Sequence, residues 1–276
     1  MHGVIIRLFG TAAFGVAIFA ASPAGAQALQ DRFWLQASAY YPKIDTDVRL
    51  APASNPDGGT EIDLEGDFGL DDREILPAIN AGARIGGRFS IIADYYRLDR
   101  NTTATINRAI TVENVTYPVN ASVTAGFGSD VYRLSIGYAF LRRDNAELGA
   151  SIGLHATDFS ISLQGQGTVG TAPISNQVRR HDFLAPMPTI GLFGTWEIAP
   201  RLTLGGRIDW LSLGLGDYDG RLFNTQASLS YRFARNFGAG IMFRYVVYRV
   251  DVEKPNYNGR FTYSFAGPAA FIEVGF

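Results

Sequence analysis

Apolar residues recur at every second position through most of this chain, and the alternation lapses at polar connections. "RFWLQASAYY" sets Phe33, Leu35, Ala37 and Ala39 on one side, with Trp34, Gln36, Ser38 and Tyr40 on the other. "VYRLSIGYAF" sets Tyr132, Leu134, Ile136, Tyr138 and Phe140 against Arg133, Ser135, Gly137 and Ala139. "RLTLGGRIDWL" opposes Leu202, Leu204, Ile208 and Trp210 to Thr203, Gly205, Arg207 and Asp209. "FNTQASLSYRF" opposes Phe223, Ala227, Leu229, Tyr231 and Phe233 to Asn224, Gln226, Ser228, Ser230 and Arg232. A period of two is the mark of a strand with unlike faces. Here the apolar face carries large aromatics, and the other face carries glycine, small residues and charges. A face turned to water has no need of small residues. A face turned into a narrow tube does, because side chains crowd there. The pattern predicts an all-β, transmembrane, antiparallel up-and-down β-barrel whose apolar face meets lipid.

About ten strands are predicted, with eight or twelve as alternatives, near 32–44, 73–86, 88–100, 127–142, 146–164, 184–199, 201–214, 220–234, 237–252 and 261–276. Each reaches the 9–11 residues that a tilted strand needs to cross a bilayer. Short turns fall at Gly86-Gly87, Arg143-Asp144-Asn145, Pro200 and Arg235-Asn236. Long polar connections fall near 45–72, 101–126 and 165–183, and shorter ones near 215–219 and 253–260. Tight turns on one side and long loops on the other is the asymmetry of outer-membrane barrels, periplasm below and exterior above.

The first residues bear on compartment. Residues 1–26 combine Arg7, an apolar stretch from Leu8 and a small-residue site at Ala24-Gly25-Ala26. They predict a cleaved secretory signal, too short in its apolar part to span a membrane, and a mature barrel over 27–276. Loss of Arg7 moves the net charge from −2 to −3, too small a value to imply a nucleic-acid partner. There is no cysteine, so packing and hydrogen bonds must hold the fold.

The ending "GPAAFIEVGF" keeps the alternation to the last residue, with Ala270, Ile272, Val274 and Phe276 on the apolar face. With the strand pattern, it resembles the Gram-negative outer-membrane β-barrels, whose last strand ends in an aromatic. "EIDLEGDFGLDD" followed by Pro77 is similar to a pattern of poorly characterised proteobacterial members. The resemblance implies that Ile272, Val274 and Phe276 act as an assembly signal, read by the barrel-assembly machinery before the last strand zips against the first. It implies residence in the bacterial outer membrane, among outer-membrane lipid and lipopolysaccharide.

Taking alternate positions as inward gives a candidate lumen charge network of Arg84, Asp94, Arg133, Glu197, Arg207, Asp209, Arg232, Arg244 and Glu273, with His155 beside it. Charges at membrane depth are costly unless paired. A salt-bridged filling is the favoured reading, and a small, slightly anion-preferring constriction is the alternative. In the first long connection Glu61, Asp63, Glu65 and Asp67 fall on one face of a predicted extended segment. They are hard oxygen ligands in principle, but they lack the D-x-[DN]-x-[DN]-G spacing of a calcium loop. A solvated face is the plainer reading, so no metal and no cofactor is assigned.

Enzymatic constellations are thin. His155-x-Thr157 is superficially like the His-x-Ser of barrel lipid A deacylases, but it faces inward and replaces the serine. His181 and Asp182 are adjacent strand residues and point to opposite faces. No catalytic residue is assigned. The expected function is a structural or surface-interaction barrel acting through long outer loops. A narrow diffusion channel is the alternative, and a membrane-embedded hydrolase comes third.

Overall fold

The computed structural model describes Leu29 and residues 31–276, apart from 53–59, 113–114, 170–171, 216–217 and 254–256. The expected signal segment lies outside the described residues. Fourteen strands are described: β1 (Phe33–Tyr40), β2 (Lys43–Pro52), β3 (Glu61–Asp63), β4 (Leu76–Ile85), β5 (Phe89–Thr105), β6 (Ile110–Val112), β7 (Val115–Tyr117), β8 (Ser122–Arg142), β9 (Ala146–Val169), β10 (Ala172–Ala199), β11 (Leu202–Leu215), β12 (Tyr218–Arg232), β13 (Phe237–Glu253) and β14 (Tyr257–Gly275). A short helix, α1 (Leu64–Phe68), follows β3.

Among the described residues ten strands form the ring, in the order β1-β4-β5-β8-β9-β10-β11-β12-β13-β14. It closes where β14 pairs with β1, from Trp34 opposite Gly275 to Tyr40 opposite Ala269. β2 continues β1 upward along the same partner, Lys43 opposite Ala266 to Pro52 opposite Tyr257. The ladder is interrupted at Tyr41-Pro42, where proline offers no N–H. Among the described residues closure leaves no edge strand inside the bilayer, where unpaired backbone groups would cost several kcal/mol each.

The tight turns lie where the sequence places them. Gly86 and Gly87 take positive φ of 58° and 83°, which glycine adopts without strain. On the opposite side the strands run far past the expected ends. The predicted loop 165–183 is instead an extension of the β9–β10 hairpin, paired from Trp196 opposite Ala146 up to Ala172 opposite Val169. Likewise β5 reaches Thr105 and β8 starts at Ser122, with the β6–β7 hairpin above them. These stretches lack the aromatic-rich alternation used to find strands. Beyond the lipid the outward face no longer needs apolar residues, while the backbone ladder continues regardless.

The outward face has a band of exposed apolar side chains. Trp196, Phe233, Phe237 and Phe276 stand near the turns, and Trp210, Phe223 and Tyr245 near the other end. Along β13 the band runs from Phe237 to Tyr245, with Ile241 and Phe243 between. Nine tilted residues span roughly 20 Å of height, close to the apolar thickness of an outer-membrane barrel. Above it the outward positions turn polar: Arg97, Asp99 and Asn101 on β5, Arg249 and Asp251 on β13, Arg260 on β14.

Small lumen residues make room for rings. A Cβ on Gly82 would lie 2.0 Å from the Trp34 indole, and one on Gly149 would lie 2.3 Å from Phe193.

Candidate functional site

The lumen has two levels. The lower one, toward the turns, is polar. Asp94 of β5 and Arg133 of β8 face each other in the ladder and are ion-paired. Arg133 Nε also lies 3.6 Å from Asp209 Oδ2, across the lumen on β11. Arg207 holds the same carboxylate at 2.9 Å, His155 Nε2 approaches it at 3.9 Å, and Asn224 donates to it at 3.3 Å. On the other flank Asn80 donates to Asp94 at 2.8 Å and accepts from the Trp34 indole at 3.1 Å. The result is a polar chain from β1 to β12.

Two further pairs lie nearer the turns. Arg84 binds Glu147 at 2.6 Å. Arg232 pairs with Asp31 and lies 3.7 Å from Glu273. A cavity of about 250 Å³ opens between these groups, bounded above by Tyr96, Met242 and Phe271.

Eight of the nine residues expected in the network are thus gathered in the lumen. Glu197 is not part of it. It sits beside the β10–β11 turn, where a register shift between Glu197 and Ala199 interrupts the ladder, and it accepts from the Arg201 backbone N–H at 3.2 Å. A strand-end acid finds backbone donors locally, so inward parity does not carry it to the cluster. Glu147 and Asp31 belong to the network and were missed. Glu147 shares the inward parity of His155, so extending that alternation to the strand end would have found it. Asp31 precedes β1 and leaves no periodic signal.

The upper level is apolar. Tyr40, Tyr96, Phe127, Phe159, Tyr248, Phe261, Tyr263 and Phe265, from six strands, are buried. They form a chain of ring contacts, Phe159 to Phe261 at 4.7 Å, Tyr263 to Phe265 at 5.3 Å and Tyr96 to Phe265 at 5.7 Å. Leu64 and Phe68 of α1 cap this core.

α1 corrects the expectation of an extended acidic segment. Asp63 caps the helix, accepting from Gly66 N–H at 2.7 Å. Gly69 ends it with φ 70°, and Leu64 and Phe68, four apart, bury one face. The four acids therefore do not share a face. Glu65 turns inward to Arg100 at 2.6 Å and accepts from Thr46 N–H at 2.8 Å. Asp67 pairs with Arg108. Burial pushes the Glu65 carboxyl upward, against the pull of Arg100. Arg100 also donates to Thr46 Oγ1 at 2.9 Å and to the Asp71 carbonyl at 2.8 Å, fastening the cap to the wall. Above the bilayer Asp47 is pushed up to about 6 by burial and by the charges of Asp45, Asp63, Glu61 and Glu65.

His155 and Thr157 are both buried in the lumen, as their parity implied. The side chains of His181 and Asp182 lie outside the described residues. At the chain's end Ile272 and Phe276 are exposed on the lipid face, and the Phe276 carbonyl accepts from the N–H groups of Arg32 and Phe33.

No protein-family model and no curated protein matches the chain. Solved structures do resemble it. The outer membrane protease OmpT from Escherichia coli aligns over 88% of this chain and 97% of its own, with TM-score 0.56 and 12% identity. The Pseudomonas putida toluene transporter TodX aligns over 92% of both chains at TM-score 0.37 and 8% identity. A Pseudomonas aeruginosa FadL homologue aligns over 91% and 93% at TM-score 0.39 and 10% identity. The last two scores are too low to carry an argument, and at 12% identity the first concerns the fold alone. Ten closed antiparallel strands, a lipid-facing apolar band and this likeness agree: the chain has the fold of the Gram-negative outer-membrane β-barrels.

Proposed function

We propose that the chain is a closed outer-membrane barrel, a structural or surface-interaction protein acting through the part that rises above the bilayer. The observation that carries this reading is the aromatic core that fills the upper lumen beneath α1. A ten-stranded barrel is only slightly wider than the eight-stranded size that side chains just fill. In this reading the charged outward wall, with Arg97, Asp99, Arg249 and Arg260, stands among lipopolysaccharide head groups. Catalysis is not assigned: His155 lies inside the lumen, away from any lipid or surface substrate, and a distant fold likeness to a protease transfers no activity.

The test is single-channel recording of the refolded barrel in a planar bilayer, with folding established by heat-dependent gel mobility. The expected result is silence. Discrete, reproducible openings from the folded protein would overturn this reading in favour of a narrow diffusion channel.

A further inference from the structure

Among the described residues the roof of the lower cavity holds one more guanidinium than carboxylate. In the ladder Gln226 of β12 stands between Arg207 of β11 and Arg244 of β13. Arg244 directs Nε and Nη2 to the same Gln226 oxygen, at 3.1 and 2.7 Å, and lies 5.5 Å from the Tyr96 ring centre. Among the described residues no carboxylate is within ion-pair distance of it. Arg207 is held by Asp209 through Nε, but its Nη2 is buried without a hydrogen-bond partner among the described residues. Asp209 is shared with Arg133. At this level, among the described residues, the guanidiniums of Arg133, Arg207 and Arg244 face Asp94 and Asp209. The floor is balanced: Arg232 is shared by Asp31 and Glu273, while Arg84 and Arg142 share Glu147.

We propose that this roof binds a small oxyanion, a carboxylate or phosphate group, between Arg207 and Arg244. An uncompensated cation at membrane depth is costly, and an entering anion restores neutrality. Guanidinium N–H groups not already engaged, Arg207 Nη2 among them, suit the oxygens of such groups. The aromatic core closes the site above, so the ligand enters from the turn side. The site goes beyond the closed-barrel reading and does not depend on it, because it is tested by binding rather than by conductance.

The experiment is calorimetric titration of the folded barrel in zwitterionic detergent with sodium acetate, then sodium phosphate, against sodium chloride at equal ionic strength. Saturable binding of acetate or phosphate is expected, with chloride not competing. Whichever anion binds identifies the source of the group. Arg244→Gln should weaken binding about tenfold or more. Arg207→Lys keeps a charge beside Asp209 but loses the free Nη2, and should weaken it too. Heat-dependent mobility checks the folding of each variant. No saturable binding to the wild type, equal binding of chloride, or an unchanged affinity in the folded variants would overturn the proposal.

Discussion

Below the level of Tyr96 the barrel is filled by arginines and acids around a small cavity. Above it, the extended strands, with β2 in place of β1 beside β14, enclose packed rings. The difference follows from what lies outside the wall. Within the bilayer the outer face meets hydrocarbon, so the apolar side chains belong there and polar groups fall to the lumen. Above it the outer face meets water, and the hydrophobic effect drives the apolar residues inward as in any soluble core. The switch can be followed residue by residue. On β5 the outward series Phe89, Ile91, Tyr95 gives way to Arg97 and Asp99, while the inward series passes from Asp94 to Tyr96 and Leu98. On β13 Arg244 is followed inward by Val246, Tyr248 and Val250, while Tyr245 is followed outward by Arg249 and Asp251.

The two levels should therefore differ in what they tolerate. Asp209→Asn keeps volume and shape but leaves Arg133 and Arg207 short of a carboxylate, at a cost of roughly 3–5 kcal/mol. In the aromatic core Phe159→Leu keeps an apolar side chain, removes only part of the ring's volume and should cost about 1–2 kcal/mol. Urea unfolding of the two variants side by side decides. A Phe159→Leu variant less stable than Asp209→Asn would break the contrast between a charge-specified and a volume-filled lumen.

A smaller effect sharpens the boundary. Asp47 lies on the wet side of the wall, with a carboxyl raised from its ordinary 3.8 to about 6. Between those values the folded chain holds a proton that the unfolded chain releases, so stability falls as pH rises through the window. The penalty is complete by pH 7. Asp47→Asn should stabilise the protein at pH 7 by about 1 kcal/mol, discounted for solvent screening of a half-exposed group. At pH 4 the variant and the wild type should be alike. Melting curves at the two pH values measure this, and equal stability at pH 7 would remove Asp47 as a strained charge.

Much of the lower barrel was legible in the sequence, because alternation is local and the bilayer enforces it over about nine residues per strand. The aromatic core was not recognised, although its signal is present. The inward parity that carries Asp94 continues through Tyr96 and Leu98 to Arg100, and only the outward partners stop being apolar. α1 was also readable, from Asp63 as a cap, Leu64 and Phe68 four apart, and Gly69 as a stop. Its four acids suggested a single face because an extended backbone was assumed.

By itself, the sequence indicated about ten crossing strands, the tight turns, the lipid face and the parity of most lumen charges. Each of these is set by neighbours within a few residues along the chain. Only the tertiary structure decided which charges meet. Arg133 reaches Asp209, Arg84 reaches Glu147, Arg232 reaches Asp31 and Arg100 reaches Glu65 across turns of the barrel that no local pattern encodes. Those pairings depend on cross-strand register and on the curvature that brings opposite walls together. For the same reason only the closed ring shows Arg244 without a carboxylate at ion-pair distance among the described residues.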